Sequence, residues 1–366
     1  MKNAIKFIIV IILSLLVLTL FMPFSFTSNK VNDCYDVVMN DIDNDKKILD
    51  VAMLGAHDAF SDNIGSMSRP NVNEDSIVNN GFVNKIAKGL VVRLSKAQKA
   101  NAKELLYSGV RYFDARVTLI NGEFYTFHGY LSDTLDSYLL DIIDFLESHP
   151  TEFIILDIQE YYTSKGSDYN LSYDDWTLLI NHLYGLKNSN KKTLFDFVKY
   201  DSRYDKISDL TVGKVTNNKT EGGLIILAKC SDFEKFYVRD TNANKDVERN
   251  YSTIRSYWNN KNSQKEMLEA IENEYQFVKE NGFDDVLVVN QAQMTGFISN
   301  AKIVRSLFKW SVIDMAKNFN KELVSDEERF NKWLDVMPIF MVDYTTSNIG
   351  DFNNKANQYI MKYNKK

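Results

Sequence analysis

The sequence predicts an α/β protein with a parallel, barrel-like sheet, and three observations carry that expectation. From about Lys47 onward, short apolar runs alternate with amphipathic, helix-spaced stretches, the pattern of strand–helix units that assemble parallel sheets. Ionisable residues gather just after the apolar runs, the place where α/β barrels build their sites. The chain has 366 residues and only four prolines. Once its N-terminal segment is set aside, it is long enough for one large barrel or two smaller domains.

That N-terminal segment differs from the rest. Lys2 and Lys6 precede the uncharged apolar run Phe7–Phe24, the arrangement of an export signal. Its length lies on the border between a cleavable signal and a retained anchor. Residues 1–28 are therefore expected to be a signal peptide or N-terminal membrane anchor, 29–46 a linker, and 47–366 one barrel domain. The folded part is expected outside the cytoplasm, secreted or tethered by that segment. A net charge of -6 argues against nucleic acid as a partner. Cys34 and Cys230 are far apart and imply no disulfide framework. A monomer is expected.

Taken in order, Leu49–Leu54 is the first expected strand and leads into Gly55-Ala56-His57-Asp58. Val110–Val117 and Glu123–Phe127 flank Asn121-Gly122, a dipeptide favoured in tight hairpins. The first of the pair carries Asp114 and Arg116, two apart and so on one face. The second leads into His128 and a glycine that permits a sharp turn. Thr134–Ser148 reads as a helix, with a capping residue at its start, helically spaced leucines and isoleucines, and Pro150 beyond its end. Phe153–Ile158 is a strand followed by Gln159 and Glu160, and Asp174–Tyr184 a further helix. Gly223–Ala228 is a strand ending at Lys229. Lys265–Asn281 places Met267, Leu268, Ile271, Tyr275 and Val278 on one helical face and closes at Gly282. Strand Asp285–Val289, helix Ser299–Lys317 and strand Pro338–Val342, followed by Asp343, complete the set.

Two of the four histidines, His57 and His128, fall among these strand-end residues. His149 before Pro150 and His182 on a helix read as structural. A single histidine beside an apolar run is most often structural too. Two of them placed with carboxylates at strand ends point to proton transfer.

These residues resemble a known family. LGAHDAF at 54–60 is similar to the histidine loop of the phosphatidylinositol-specific phospholipase C catalytic domain, usually written Gly-Thr-His-Asp-Ser. SKAQKANAKELLYSGVRYFDARV at 95–117 and NGEFYTFHG at 121–129 resemble its next helix, strand and second-histidine strand, and SHPTEFIILDIQEYY at 148–162 the strand after. Weaker likeness occurs at 286–296 and 339–352. The resemblance implies a distorted, incomplete TIM barrel forming a single catalytic domain, with its site at the C-terminal face.

It also implies a reaction. The inositol hydroxyl attacks the neighbouring phosphorus, so a base, an acid and a stabiliser of added charge are needed. By resemblance His57 is the general base, His128 the general acid, Asp343 the residue orienting His57, and Arg116 the phosphate clamp. Asp58 and Asp114 would position Arg116 and His128, with the pairing left open. Phosphatidylinositol, with glycosyl-phosphatidylinositol anchors as a further candidate, would yield diacylglycerol and cyclic inositol phosphate. Calcium-dependent relatives carry a carboxylate where this chain has Arg116, because a hard cation takes oxygen ligands. No metal or other cofactor is therefore expected.

Lys229 corresponds to a basic substrate contact of bacterial relatives, and Asp240 in FYVRD faintly resembles an inositol-binding acid. Gln159 stands with Glu160 where some relatives have lysines and is a further candidate contact. The partner implied is a membrane surface containing phosphatidylinositol. Residues 81–100 carry Lys85, Lys88, Arg93, Lys96 and Lys99 among Phe82, Val83, Ile86, Leu90, Val91 and Leu94. They suit an interfacial segment or, equally, a barrel helix with a basic face. Rival readings are a metal-dependent glycerophosphodiester phosphodiesterase and a catalytically silent membrane-binding module of the same fold.

Overall fold

Apolar runs without polar alternation become the central strands, because a parallel sheet is covered on both faces. The computed structural model describes residues 34–74, 79, 88–89, 91–168, 170–230, 233–239, 253–296, 311–347 and 351–366. Its strands are β1 (Met53–Ala56), β2 (Val110–Ile120), β3 (Glu123–His128), β4 (Tyr130–Thr134), β5 (Phe153–Thr163), β6 (Gly166–Ser167), β7 (Gly223–Ala228), β8 (Tyr237–Val238), β9 (Ile254–Ser256), β10 (Leu287–Gln291) and β11 (Ile339–Val342). The main path runs β8-β7-β5-β2-β1-β11-β10-β9, with parallel pairing throughout. Every residue of β1, β7 and β11 is buried.

The sheet curls into an incomplete barrel, as the resemblance implied. Its path ends at β8 on one side and β9 on the other. The Thr253 hydroxyl donates to the Val238 carbonyl across that seam. β3 continues from β2 as an antiparallel hairpin, β4 pairs with β3, and β6 folds back on β5. These extensions lie past the parallel part of the sheet and bring His128 back to the barrel mouth.

Several boundaries differ from expectation. Ile48–Asp50 is a short 3-10 turn, so the first strand starts at Met53 instead of Leu49. β10 begins at Leu287 because Val286 closes a turn onto the Phe283 carbonyl. Thr134 occupies the N-cap of Leu135–Ser148 but makes no capping side-chain bond. Of the helix expected at Ser299–Lys317, residues 299–310 lie outside the described residues. The described helix is Val312–Leu323, capped by Ser311. β4 and the helices Glu327–Leu334 and Phe352–Asn364 were not expected.

Residues 34–46, expected as linker, are packed against the N-terminal end of the barrel. Met39 and Ile42 join the core. The Val38 and Met39 amides donate to Glu152 Oε1 at 3.2 and 3.0 Å. The apolar run Phe7–Phe24 and the rest of residues 1–33 lie outside the described residues. Cys34 is exposed and Cys230 buried, and no disulfide joins them.

Candidate active site

The site is assembled where β1, β2, β3 and β11 end. His57 is the first residue after β1, and its amide donates to the Val342 carbonyl at 3.1 Å. Asp58 follows with φ 41, a left-handed conformation that aspartate tolerates better than most residues. Asp114 holds this turn. Its Oδ2 accepts the Asp58 amide at 3.1 Å, and its carbonyl accepts the Ala59 amide at 2.8 Å. His128 is the last residue of β3, before Gly129 with φ 69.

β2 and β5 change register in the middle of the site. Ala115 pairs with Ile158 and Arg116 with Glu160, so Gln159 is the extra residue of a bulge. Its side chain lines the cavity, and its amide nitrogen is buried without a partner.

The six expected catalytic residues meet in one cluster. His57 Nδ1 lies 2.7 Å from Asp343 Oδ1. Its Nε2 lies 3.4 Å from Arg116 Nη2, 3.6 Å from Asp58 Oδ2 and 3.9 Å from Asp114 Oδ2. Arg116 places Nε 2.5 Å from Asp58 Oδ1 and Nη1 3.5 Å from Glu160 Oε1. His128 Nδ1 is 3.0 Å from the other Asp58 oxygen and 2.9 Å from the Ser95 carbonyl. The two imidazole centroids are 6.4 Å apart. Asp58 thus serves both Arg116 and His128, while Asp114 secures the Asp58 turn.

These contacts set the charges. Burial opposes a charged His57, but Asp58 and Asp343, with help from Asp114, overcome it and raise its pKa to about 9. Burial also opposes the Asp58 carboxylate, yet Arg116 and the two histidines hold it well below the usual range. Burial dominates at Asp114, which rises to about 6 despite Arg116. It likewise raises Asp343. His128 is raised above its ordinary value by Asp58, against burial. The His57 imidazole therefore holds its proton at neutral pH in the free site.

The cluster opens into a cavity of about 690 Å³. Lys229 lines it and pairs with Asp168 Oδ2 at 2.5 Å. Asp240 lies outside the described residues. Its neighbour Arg239, missed in the sequence, lines the cavity and sends Nε to both Asp157 oxygens at 2.8 and 3.0 Å. Tyr112 completes that buried group by donating to Asp157 Oδ2 at 2.5 Å. Gln291 and Gln293 were missed as well. Gln293 donates to Gln291 Oε1 at 2.8 Å, and Gln291 donates to Ser256 Oγ at 2.7 Å. The available signal was polar alternation at the end of an apolar strand, in VVNQAQ. For Arg239 it was a basic residue closing the short run FYV.

Of the basic segment, residues 81–87 and 90 lie outside the described residues, including Phe82, Val83, Lys85, Ile86 and Leu90. In the remainder, Val91 and Val92 are buried with Ile64 and Tyr130, and Lys96 Nζ donates to the Asp62 carbonyl. Of the basic residues in the described part, Lys88, Arg93, Lys96 and Lys99 are half-buried, as is Leu94.

His57, Asp58 and Asp114 each bring a donor atom within 4.8 Å of the others, a spacing a cation could bridge. The guanidinium of Arg116 already pairs with Asp58 and reaches both other residues at 3.4 and 3.9 Å. The donor set is thereby matched to a fixed organic cation and does not fit a metal ion as well.

No family model matches the chain. It is 31% identical over 116 residues to the human PI-PLC X domain-containing protein 2, covering 31% of this chain and 38% of that protein. It is 29% identical over 145 residues to the Danio rerio PI-PLC X domain-containing protein 3, covering 38% and 44%. The chain is related to the PI-PLC X-type family. The matched stretch spans less than half of either X-type relative. Among solved structures, a variant of the phosphatidylinositol-specific phospholipase C of Staphylococcus aureus shares the fold with TM-score 0.61 at 16% identity, covering 91% of this chain and 98% of that one. The Listeria monocytogenes phosphatidylinositol-specific phospholipase C does so with TM-score 0.56 at 17% identity, covering 90% and 98%. The chain therefore shares the fold of these two solved phospholipases.

Proposed function

We propose that this chain is an exported, metal-independent phospholipase C acting on phosphatidylinositol. Fold and family support phospholipase activity toward phosphatidylinositol in general. The observation that carries the finer proposal is the pair of imidazoles 6.4 Å apart, joined through Asp58 to one guanidinium. His57 Nδ1 faces a carboxylate and His128 Nδ1 a carbonyl, both acceptors, so each ring keeps Nδ1–H and offers Nε2 for proton transfer.

In the proposed reaction, His57 Nε2, once deprotonated, takes the proton of the inositol hydroxyl next to the phosphate. That oxygen bonds to phosphorus, the bond from phosphorus to the diacylglycerol oxygen breaks, and His128 protonates the departing oxygen. The products are diacylglycerol and cyclic inositol phosphate. Arg116 neutralises the charge gathering on the phosphorane oxygens. Each proton transfer is worth ~10²–10⁴-fold. Lys229, Arg239 and Gln159 line the same cavity and are proposed to hold the headgroup. Glycosyl-phosphatidylinositol anchors present the same diester and are proposed as second substrates. The apolar run Phe7–Phe24 supports action at a membrane outside the cytoplasm.

A second reading, a metal-dependent glycerophosphodiester phosphodiesterase, draws on the His57, Asp58 and Asp114 donor set. Incubating the purified protein with phosphatidylinositol vesicles and excess chelator separates the alternatives. Release of cyclic inositol phosphate, lost in His57→Ala and His128→Ala, is expected. Activity abolished by chelator and restored by calcium would support the second reading. Absence of turnover under every condition would leave a silent module of the same fold.

A further inference from the structure

Both imidazoles are held in place by one short stretch, Ser95–Gln98. β1 and β11 stop pairing at Ala56 and Val342, one residue before His57 and Asp343. The His57 amide still donates to the Val342 carbonyl at 3.1 Å, and there the ladder between the two strands ends. Gln98, fully buried at 0% exposure, ties the two strand ends together beyond it. Its Nε2 donates to the His57 carbonyl and to the Val342 carbonyl, both at 2.9 Å. Its Oε1 accepts from the Thr345 amide at 3.1 Å and the Thr345 hydroxyl at 3.2 Å. An amide side chain has two donor hydrogens and two acceptor lone pairs, and all four are engaged. Because the two carbonyls can only accept, the orientation of the amide is fixed.

The same stretch reaches the other half of the site. The Ser95 carbonyl meets His128 Nδ1 at 2.9 Å. The Ala97 carbonyl accepts the Tyr344 amide at 2.8 Å. Ser61 Oγ accepts the Ala97 and Gln98 amides at 3.1 and 3.0 Å and donates to the Asp58 carbonyl at 2.7 Å. Within four residues the chain thus contacts His128, the turn carrying His57 and Asp58, and both neighbours of Asp343.

We propose that Gln98 is a positioning residue that fixes the His57–Asp343 pair, and that Ser95–Gln98 sets the spacing between the two histidines as one rigid strap. This rests on the assignment of His57 and His128 as the acid–base pair, and it deepens that assignment. Catalysis between fixed groups is sensitive to displacement, about 10²-fold for an ångström. Loss of Gln98 should therefore lower kcat more than KM, because the residue makes no contact with the substrate.

The test uses Gln98→Met, which keeps a straight side chain of similar reach and removes all four hydrogen bonds. Two readouts are taken on folded protein: kcat and KM with phosphatidylinositol vesicles, and the NMR resonance of the His57 Nδ1 proton. In the parent that proton sits in the 2.7 Å bond to Asp343 and should resonate far downfield. The variant is expected to lose about 10–100-fold in kcat with KM nearly unchanged, and to shift or broaden the Nδ1 resonance. A folded variant with the parental Nδ1 resonance overturns the proposal, whatever its activity. Should Gln98→Met fail to fold, Thr345→Val removes only the hydroxyl bond and should move both readouts the same way by less. If the parent protein cleaves no phosphatidylinositol, the proposed function falls, and the Nδ1 resonance alone still decides the role of Gln98.

Discussion

Replacing Arg116 by lysine keeps a positive charge but removes the planar fork that reaches Asp58, His57 and Glu160 together. Cleavage of phosphatidylinositol by Arg116→Lys is expected to fall ~10²–10³-fold, the usual cost of losing one donor to a developing oxyanion. The residual rate should be the same with and without chelator. At His57 the consequence is a pH dependence. Its pKa lies above the ordinary 6.5, at about 9, so the neutral base form grows only as pH rises toward 9. The acid limb of kcat/KM should therefore lie well above 6.5. Asp343→Asn removes one of the carboxylates holding the proton, so the limb should move to lower pH while the plateau falls by about 10²-fold as the ring loses its orientation. A limb that moves upward would contradict the assignment. The two histidines and Arg116 were legible in the sequence because ionisable residues directly following apolar runs are conspicuous. The double duty of Asp58 was not, since it depends on a left-handed backbone at φ 41 that no spacing reveals. Arg239 stayed hidden because its aspartate partner is 82 residues away.

Elements with both faces buried were the easiest to read, and Gly223–Ala228 matches its expected bounds. The C-terminal helix Phe352–Asn364 escaped because much of its buried face is asparagine. Asn353, Asn357 and Asn364 are at most 5% exposed, and hydrophobic periodicity cannot register them. They work by hydrogen bonding. Asn353 and Asn357 both donate to the Ser108 carbonyl, at 3.0 and 2.9 Å, and Asn364 exchanges two bonds of 2.8 Å with the Ala52 backbone. The side chain thereby acts as a strand partner just before β1. This helix also explains Gly109, which sits at φ +87 before β2, where an added Cβ would lie 2.0 Å from Asn357 Oδ1. Gly109→Ala should therefore destabilise the protein by about 1–3 kcal/mol through overpacking, with backbone strain adding to it. Thermal or urea unfolding measures this, and an unchanged midpoint would show that the helix can move away.

Across the whole molecule, the mouth of the barrel holds the two histidines and the opposite end carries a buried ion pair that ties down residues 34–46. Arg111 and Glu152 are both 0% exposed, with 2.8 Å between Nη2 and Oε2. The barrel itself was legible from alternating strands and helices, but this tie was not, because residues 34–46 have the polar composition of a linker. A buried pair is often replaceable by apolar residues at little cost, whereas removing one partner costs ~3–5 kcal/mol. Here the two charges also satisfy backbone groups of three separate segments. Arg111 donates to the carbonyls of Leu106 and Val110 at 2.8 and 2.9 Å and of Asp36 at 2.7 Å. Glu152 accepts the amides of Val38 and Met39. Glu152→Ala is accordingly expected to lose ~3–5 kcal/mol. The double replacement Arg111→Met with Glu152→Leu should not recover that loss, because the Val38 and Met39 amides would lose their Glu152 acceptor and the Asp36 carbonyl its Arg111 donor, each at about 1–3 kcal/mol. Urea unfolding of the single and double variants distinguishes the cases. Recovery in the double variant would mean that the charges interact chiefly with each other and that residues 34–46 are held by their other contacts, among them buried Met39 and Ile42 and the Asn44 and Lys46 carbonyls that accept the Gly213 and Val212 amides. Continued loss, together with faster proteolysis within residues 34–46, would mean that the ion pair docks those residues at the end of the barrel opposite the two histidines.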